Sequence, residues 1–517
     1  MHLSTLLTAA LSAVPFFLAA VPGASAAAVG TSAQRRAAGG SVSLEAGDDL
    51  LTFRYSTDAA DSKNWIGVYY ASGGGPAEQE HVADCPTWDY APEAEGTVSI
   101  SVDPIASGQY TVYFLARDGY EWLADPIDIT ISVGSGGALG FVVDEVTLAA
   151  ARQGDAYEAR VAGLVGGANA VVEFSKTGGD DWVEVGKDGT LTGTPDAGSE
   201  KASSSVTVRA TAADGATADL GVAIPVRGAG DALADELRVL SYNLWHGGSK
   251  VNDYHAKQVR FLAEQGIDVA GLQEANDPHT RRIAEGLGWH YWQSGASTGI
   301  ISRYPIAEEH AELSNAGGVR IAVDGDNRQL NLWSMHLGYT PYGPYDFCYD
   351  QMSVDEVMDR EAESGRTPQI TEILAAMASQ IGDADSVPVV LVGDTNAPSH
   401  LDWTEALKEK NCGYADVPWP TSKQPADAGL TDSFREAHPD PAAEEGLTWS
   451  PLFPYHDGSS GDEEPQDRID FIYYAGGALS VAESDTLVVG DPKPSPDHED
   501  NEWTSDHRAV LTVFRFS

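Results

Sequence analysis

Six short motifs in the C-terminal half of the chain carry residue types suited to chemistry. They are Asn243, Gln273-Glu274, His336, Gly393-Asp394-Thr395-Asn396, Arg468-Ile469-Asp470 and Ser505-Asp506-His507. Carboxylates and an amide oxygen suit a hard divalent cation such as Mg²⁺, which prefers oxygen ligands. Carboxylates beside histidines suit proton transfer to and from a reacting group. Asp394 and Asn396 are two positions apart, so an extended segment would turn both to the same rim. Taken one at a time these residues say little: an Asn or Glu at a strand end is commonly a cap, and a lone His is commonly structural.

The elements expected to position them give the motifs more weight. Apolar runs at Leu237–Tyr242, Val269–Gln273, Gly299–Ser302, Ile321–Val323, Gln329–Met335, Val387–Val392, Ile469–Tyr473 and Ala509–Phe514 read as strands. Tyr254–Gln265, Asp277–Gly286, Thr367–Ile381 and Trp403–Asn411 read as helices. Strands with helices on both sides indicate a layered α/β domain. Each motif falls at or just beyond a strand end, where such a scaffold exposes its site.

In order and context the motifs resemble the signature of the endonuclease/exonuclease/phosphatase family over about 280 residues. That resemblance implies a four-layer α/β/β/α catalytic domain at residues 236–517 and a metal-dependent phosphoester hydrolase, here a phosphodiesterase. It makes Glu274 the principal metal ligand, with Asn243 completing or supporting the site and Asp506 contributing. Mg²⁺ is the expected ion, with Mn²⁺ and Ca²⁺ as alternatives. It has Asp394 orient or activate the attacking water and Asn396 hydrogen-bond the water or the phosphate. His507 is then general base or phosphate donor, Asp470 holds its other ring nitrogen, and His336 donates to a non-bridging phosphate oxygen. Thr395 departs from the Phe or Leu common in the family, at a position whose side chain should point away from the site.

Upstream, short alternating strands punctuated by Gly, Asp and Pro indicate two all-β sandwiches, at residues 41–134 and 138–228. The first resembles the β-sandwich that precedes some secreted phosphoesterases, and the second resembles immunoglobulin- or cadherin-like modules. Most aromatics of the first are expected in its core, a carbohydrate-binding face being the alternative. Gly134–Gly140 reads as a linker and residues 227–235 as an acidic hinge. Residues 1–26 read as a signal peptide with small residues before a cleavage point, and 27–40 as a flexible leader, so a secreted protein is expected. No later segment is apolar enough to span a bilayer. Among three cysteines, Cys348 and Cys412 are the expected disulfide pair and Cys85 stays free.

Composition bears on the substrate. The chain has 31 Lys+Arg against 78 Asp+Glu, a net charge of −47. Within 236–517 there are about 19 basic and 47 acidic residues. Such a surface repels polyanions and lacks the cationic track of a tight nucleic-acid binder. A bound cation inverts the sign locally, so phosphate chemistry survives. The favoured substrate is an extracellular phosphodiester of a lipid head group or phosphorylated glycan. A secreted nuclease and an inositol-phosphate phosphatase are the alternatives, and an adhesive surface-binding protein with a secondary catalytic domain is the reading from another class. The N-terminal modules could supply a cell-surface or polysaccharide contact, and no stable protein partner is implied. Lys250, Arg320 and Arg366 are candidate phosphate contacts, and His246 could face the substrate. The loop Tyr339–Tyr349 is expected to border the site, and the acidic runs Asp355–Glu363 and Asp462–Glu464 read first as solvated surface.

Overall fold

A computed structural model describes residues 39–47, 50–134, 136–196, 202–456 and 461–517. The expected signal peptide and nearly all of the leader lie outside the described residues. Most of the rest is β structure arranged in several sheets, with helices gathered in the C-terminal part.

The first strands follow the period-two burial that their sequences dictate. In Leu50–Ser56 the alternate residues Leu51, Phe53 and Tyr55 are buried and their neighbours face outward. Ser41–Gly47, Leu50–Ser56 and Glu95–Ser101 form a three-stranded sheet. Facing it, Thr87–Tyr90, Trp65–Tyr70, Gly108–Leu115 and Ile127–Ser132 continue directly into strands of the second module. Ile127–Ser132 pairs antiparallel with Ala170–Gly179, with Ser132 opposite Ala170, and one nine-stranded sheet therefore runs through the junction at 134–138. Trp65, Tyr69, Tyr70, Tyr110 and Tyr113 are core, whereas Trp88 and Tyr90 are exposed.

Residues 227–235, read above as a hinge, are pinned. Arg152 reaches the carbonyl of Asp231 and pairs with Asp324 at 2.9 Å, Arg227 pairs with Asp235, and Arg328 donates to the carbonyl of Ala234. One apolar cluster also joins Val172, Phe174 and Leu220 of the second module to Phe261, Ile283 and Leu287 of the C-terminal part. The Gly and Ala content suggested freedom, but tertiary partners remove it.

Two six-stranded sheets make up the C-terminal part. One runs His290–Gln293, Thr298–Ser302, Val269–Gln273, Glu236–Asn243, Ala509–Phe516, Leu479–Leu487. The other runs Ile306–Glu312, Ala316–Asp326, Gln329–His336, Val389–Asp394, Asp470–Ala475, Thr431–Asp432. A single cluster containing Val239, Val269 and Val510 from the first and Val319, Leu332 and Val390 from the second fills the space between them. At Gly271 the sheets come so close that a Cβ would meet the Val392 side chain at 2.1 Å, which accounts for glycine there. The helices Tyr254–Glu264 and His279–Leu287 pack on Leu240 and Leu272 of the first sheet. Arg366–Gly382 packs Ile370, Ile373 and Met377 on Met335 and Leu391 of the second.

Two expected elements differ. Trp403–Asn411 is not a helix; only a 3₁₀ turn forms at Glu405–Leu407. Buried Trp403 is fixed through Nε1 to Asp467 at 2.9 Å, and Cys412 is bonded to Cys348, so anchors at both ends override the helical periodicity. Conversely, Tyr339–Tyr349 contains a short helix, Gly343–Cys348, with Pro344 in its first turn. The expected Cys348–Cys412 bond is present and Cys85 is free. Among the described residues no helix is long and apolar enough to cross a membrane.

Candidate functional site

Strand register brings the motifs together before any side chain is considered. In the first sheet Asn243 is opposite Gln273 in parallel strands, so Asn243 and Glu274 leave the sheet side by side. In the second, His336 is opposite Asp394, and Asp394 is opposite Asp470, three residues in a row across adjacent strands. Ser505-Asp506-His507 lies just before Ala509–Phe516, which pairs with Glu236–Asn243. Ser505 ties the two together: its Oγ donates to the Asn243 carbonyl at 2.6 Å and accepts from the His507 N–H at 3.0 Å.

The sheet ends meet through Asn243. Its Nδ2 donates to Asp394 Oδ2 at 3.0 Å and approaches Glu274 Oε1 at 3.4 Å, while its Oδ1 accepts from the Trp245 N–H at 2.9 Å. In this orientation Asn243 braces the carboxylates rather than offering its amide oxygen to a cation. Glu274 and Asn396 both sit at positive φ, +52° and +51°, turning the chain sharply out of each strand. Asp394 Oδ1 accepts from the Asn396 N–H at 2.7 Å, and Asn396 Nδ2 donates to the Leu337 carbonyl at 3.1 Å. Gly393 is required: at φ +150° a Cβ there would meet the Met335 carbonyl oxygen at 2.0 Å. Thr395 points away from the site, its Oγ1 bonded to the Ala397 and Ile469 carbonyls.

Two imidazoles converge on Asp394. His507 Nε2 is 3.8 Å and His336 Nε2 3.6 Å from Asp394 Oδ2. His507 Nδ1 is held by Asp470 Oδ2 at 2.8 Å. Burial alone would depress His507, but Asp470 and Asp394 outweigh it and raise its pKa to about 10. Burial and the neighbouring Asp470 push Asp394 above the usual carboxylate range. Asp506 is raised to about 7 by burial, with Glu274 adding to it against the pull of His507.

A divalent cation fits one part of this constellation better than another. Asp394, Asp470 and His507 place ligand atoms within 4.8 Å of one another, but Asp470 is tied to His507 Nδ1 and does not line the cavity, which leaves His507 Nε2 facing Asp394 there. Asp506 Oδ1, like Asp470 Oδ1, is buried without a hydrogen-bond partner, but of the two only Asp506 lines the cavity, and it stands close enough to Glu274 for the two charges to repel. An orphaned carboxylate oxygen beside a second carboxylate is the environment a hard cation relieves. Glu274 and Asp506 are therefore the pair that would hold it.

Glu274, His336, Asp394, Asn396, Asp506 and His507 all line one cavity of about 810 Å³. Lys250, Arg320 and Arg366 do not. Arg366 is fully buried, paired with Glu361 and bonded to the carbonyls of Gly338 and Pro341, so it anchors the loop after His336 instead of meeting phosphate. Arg320 is bound to Asn331 and Glu308. Among the described residues no lysine or arginine lines the cavity. His246 does line it, its backbone N–H donating to Glu274 Oε2 at 2.6 Å. The sequence reading missed Trp449, Trp245 and His279 as lining residues, and took Glu464 for solvated surface although it is buried. No local pattern announces these residues, since the cavity they line and the burial of Glu464 come from segments far apart in the chain.

Paired sheets thus bring carboxylates and histidines together at their joined ends. In agreement, residues 240–507 match the Endonuclease/Exonuclease/phosphatase family. The chain belongs to that family, whose members are generally divalent-metal-dependent phosphoesterases and nucleases. It is 32% identical over 293 residues to the Caenorhabditis elegans "Uncharacterized protein F14F9.5", covering 54% of this chain and 91% of that protein. Similar solved structures include truncated Caenorhabditis elegans TDP2 (16% identity, 55% of this chain and 98% of that one, TM-score 0.35). The human Nocturnin catalytic domain with bound sulfate is another (15% identity, 56% and 97%, TM-score 0.34).

Proposed function

We propose that this chain is a metal-dependent phosphodiesterase, exported from the cell, that hydrolyses an extracellular phosphodiester of the lipid head-group or phosphorylated-glycan kind. The scaffold is read as the four-layer α/β/β/α arrangement, with the two β modules as accessory parts that could hold the enzyme at a surface, where Trp88 and Tyr90 are exposed. The observation that carries the reading is the convergence of Glu274 and Asp506 with Asp394, His336 and His507 on a cavity that no lysine or arginine lines among the described residues.

A divalent cation held by Glu274 and Asp506, Mg²⁺ for preference, would supply charge neutralisation of the phosphate. The protein's own residues do the rest. Asp394, its pKa raised by burial and by Asp470, takes the proton of the attacking water as the P–O bond to the leaving oxygen breaks and that oxygen is protonated from solvent, and Asn396 steadies the water or the phosphate. His507, kept as imidazolium by Asp470, presents Nε2–H to the phosphate, and His336 donates to a second non-bridging oxygen.

The test is a panel of bis(p-nitrophenyl) phosphate, p-nitrophenyl phosphate, sphingomyelin, inositol phosphates and plasmid DNA, with Mg²⁺ and with EDTA. Metal-dependent cleavage of bis(p-nitrophenyl) phosphate and sphingomyelin in preference to DNA and the monoesters is expected. Preferred cleavage of DNA would replace this reading with a nuclease, its cavity rings stacking bases.

A further inference from the structure

The cavity is mixed in character. Beside its carboxylates and imidazoles the cavity is lined by Trp245, Tyr339, Tyr342, Tyr345 and Trp449, an aromatic wall that meets the His507 ring at Trp449, centroids 5.0 Å apart. The polar atoms of three of these rings are committed elsewhere. Tyr345 Oη donates to Glu464 Oε1 at 2.6 Å, Trp449 Nε1 donates to the same oxygen at 2.7 Å, and Tyr342 Oη donates to Asp467 Oδ2 at 3.1 Å. What these rings leave for the cavity is carbon and π surface.

Behind the wall stand two buried carboxylates, Glu464 and Asp467. Among the described residues neither is ion-paired to a lysine or arginine. The second oxygen of Glu464 faces His456 Nδ1 at 3.4 Å, and that of Asp467 accepts from Trp403 Nε1 at 2.9 Å. Lys410, the cation that acts on Asp467, is paired with Glu445. Aromatic faces carry negative charge density and attract organic cations, the more so when desolvated. Carboxylates behind the rings, the absence of a lining Lys or Arg among the described residues and a chain charge of −47 act in the same direction.

Resting on the phosphodiesterase reading above, we propose that this wall is a subsite for a positively charged organic substituent on the phosphate, an ammonium group. Glu464 is its positioning residue, holding Tyr345 and Trp449 in place. An anionic substituent is repelled by the same surface, and a neutral one gains apolar contact or stacking from the rings but none of the charge attraction.

The test compares two probes of equal shape, phosphocholine and 3,3-dimethylbutyl phosphate, in which carbon replaces the charged nitrogen. Titration calorimetry on the full chain with Mg²⁺ is expected to show phosphocholine binding about 5- to 30-fold more tightly. Tyr345→Leu and Glu464→Gln should shrink that ratio, whereas a merely structural role would weaken both probes alike and leave the ratio unchanged. Equal affinities, tighter binding of the neutral probe, or binding of neither would overturn the subsite. Should either variant fail to fold, the ratio in the native chain decides by itself. Hydrolysis of bis(p-nitrophenyl) phosphate by the same preparation reports separately on the phosphodiesterase reading.

Discussion

His507 and Asp470 form a buried pair, Nδ1 to Oδ2 at 2.8 Å, and Asp470 Oδ1 has no hydrogen-bond partner. The charge of Asp470 acts both on the imidazole and on Asp394. Asp470→Asn preserves the shape but removes the charge that keeps His507 protonated. Steady-state kinetics should show kcat reduced about 10²- to 10⁴-fold with KM little changed. An unaltered kcat would remove the pair from the reaction.

Asp506, raised to about 7 and beside Glu274, retains a proton near neutrality until a cation displaces it. Mg²⁺ affinity should then fall as pH drops below about 7, by up to about tenfold per unit for this one group. Calorimetry in buffers of different ionisation enthalpy should record proton release on binding. Affinity independent of pH from 5.5 to 8 would exclude Asp506 as a ligand.

Asp467 is pushed up to about 6, chiefly by burial. A carboxyl raised by folding contributes stability below its ordinary pKa of about 4 and loses it as pH rises through about 6. At pH 7.5 the native protein thus carries the cost of a buried carboxylate. Asp467→Asn keeps an acceptor for Trp403 and can meet Tyr342, so it should be more stable than the native chain at pH 7.5. The gain should fade between pH 6 and 4, and chemical denaturation at both ends of that range checks the sign.

The Cys348–Cys412 bond closes a loop with a sequence separation of 64 residues. Loop-closure entropy sets its worth at about 4 kcal/mol. The Cys348→Ser/Cys412→Ser double variant should melt at lower temperature, with hydrogen exchange accelerated first around Gly343–Cys348. An unchanged melt would mean that packing of Phe347 against Trp403 and Trp419 suffices to hold the segment.

Much of the candidate site was legible because its residues sit at strand ends, and strands announce themselves by short apolar runs. Val389–Val392 and Leu330–Met335 fix where Asp394 and His336 emerge, and parallel register does the rest. The aromatic wall was not legible. Glu464 lies in an acidic run with nothing to distinguish it from solvated Asp462, and only its long-range contacts with Tyr345 and Trp449 bury it. The same holds for Arg366, whose charge suggested phosphate while its partner Glu361 lies one helix earlier. The sheet that runs through both β modules depends on Ile131–Val171 pairing across 40 positions, which no local periodicity encodes.

The central claim is that Glu274 and His507 serve one hydrolytic site in different ways. The direct measurement is the Mg²⁺ dependence of bis(p-nitrophenyl) phosphate hydrolysis by the native chain, Glu274→Ala and His507→Ala. The native chain should be active with Mg²⁺ and silent in EDTA. Glu274→Ala should need far more Mg²⁺ to reach half its rate, and His507→Ala should saturate at the native Mg²⁺ concentration with kcat reduced at least about 10²-fold. Native turnover in both variants would contradict the account.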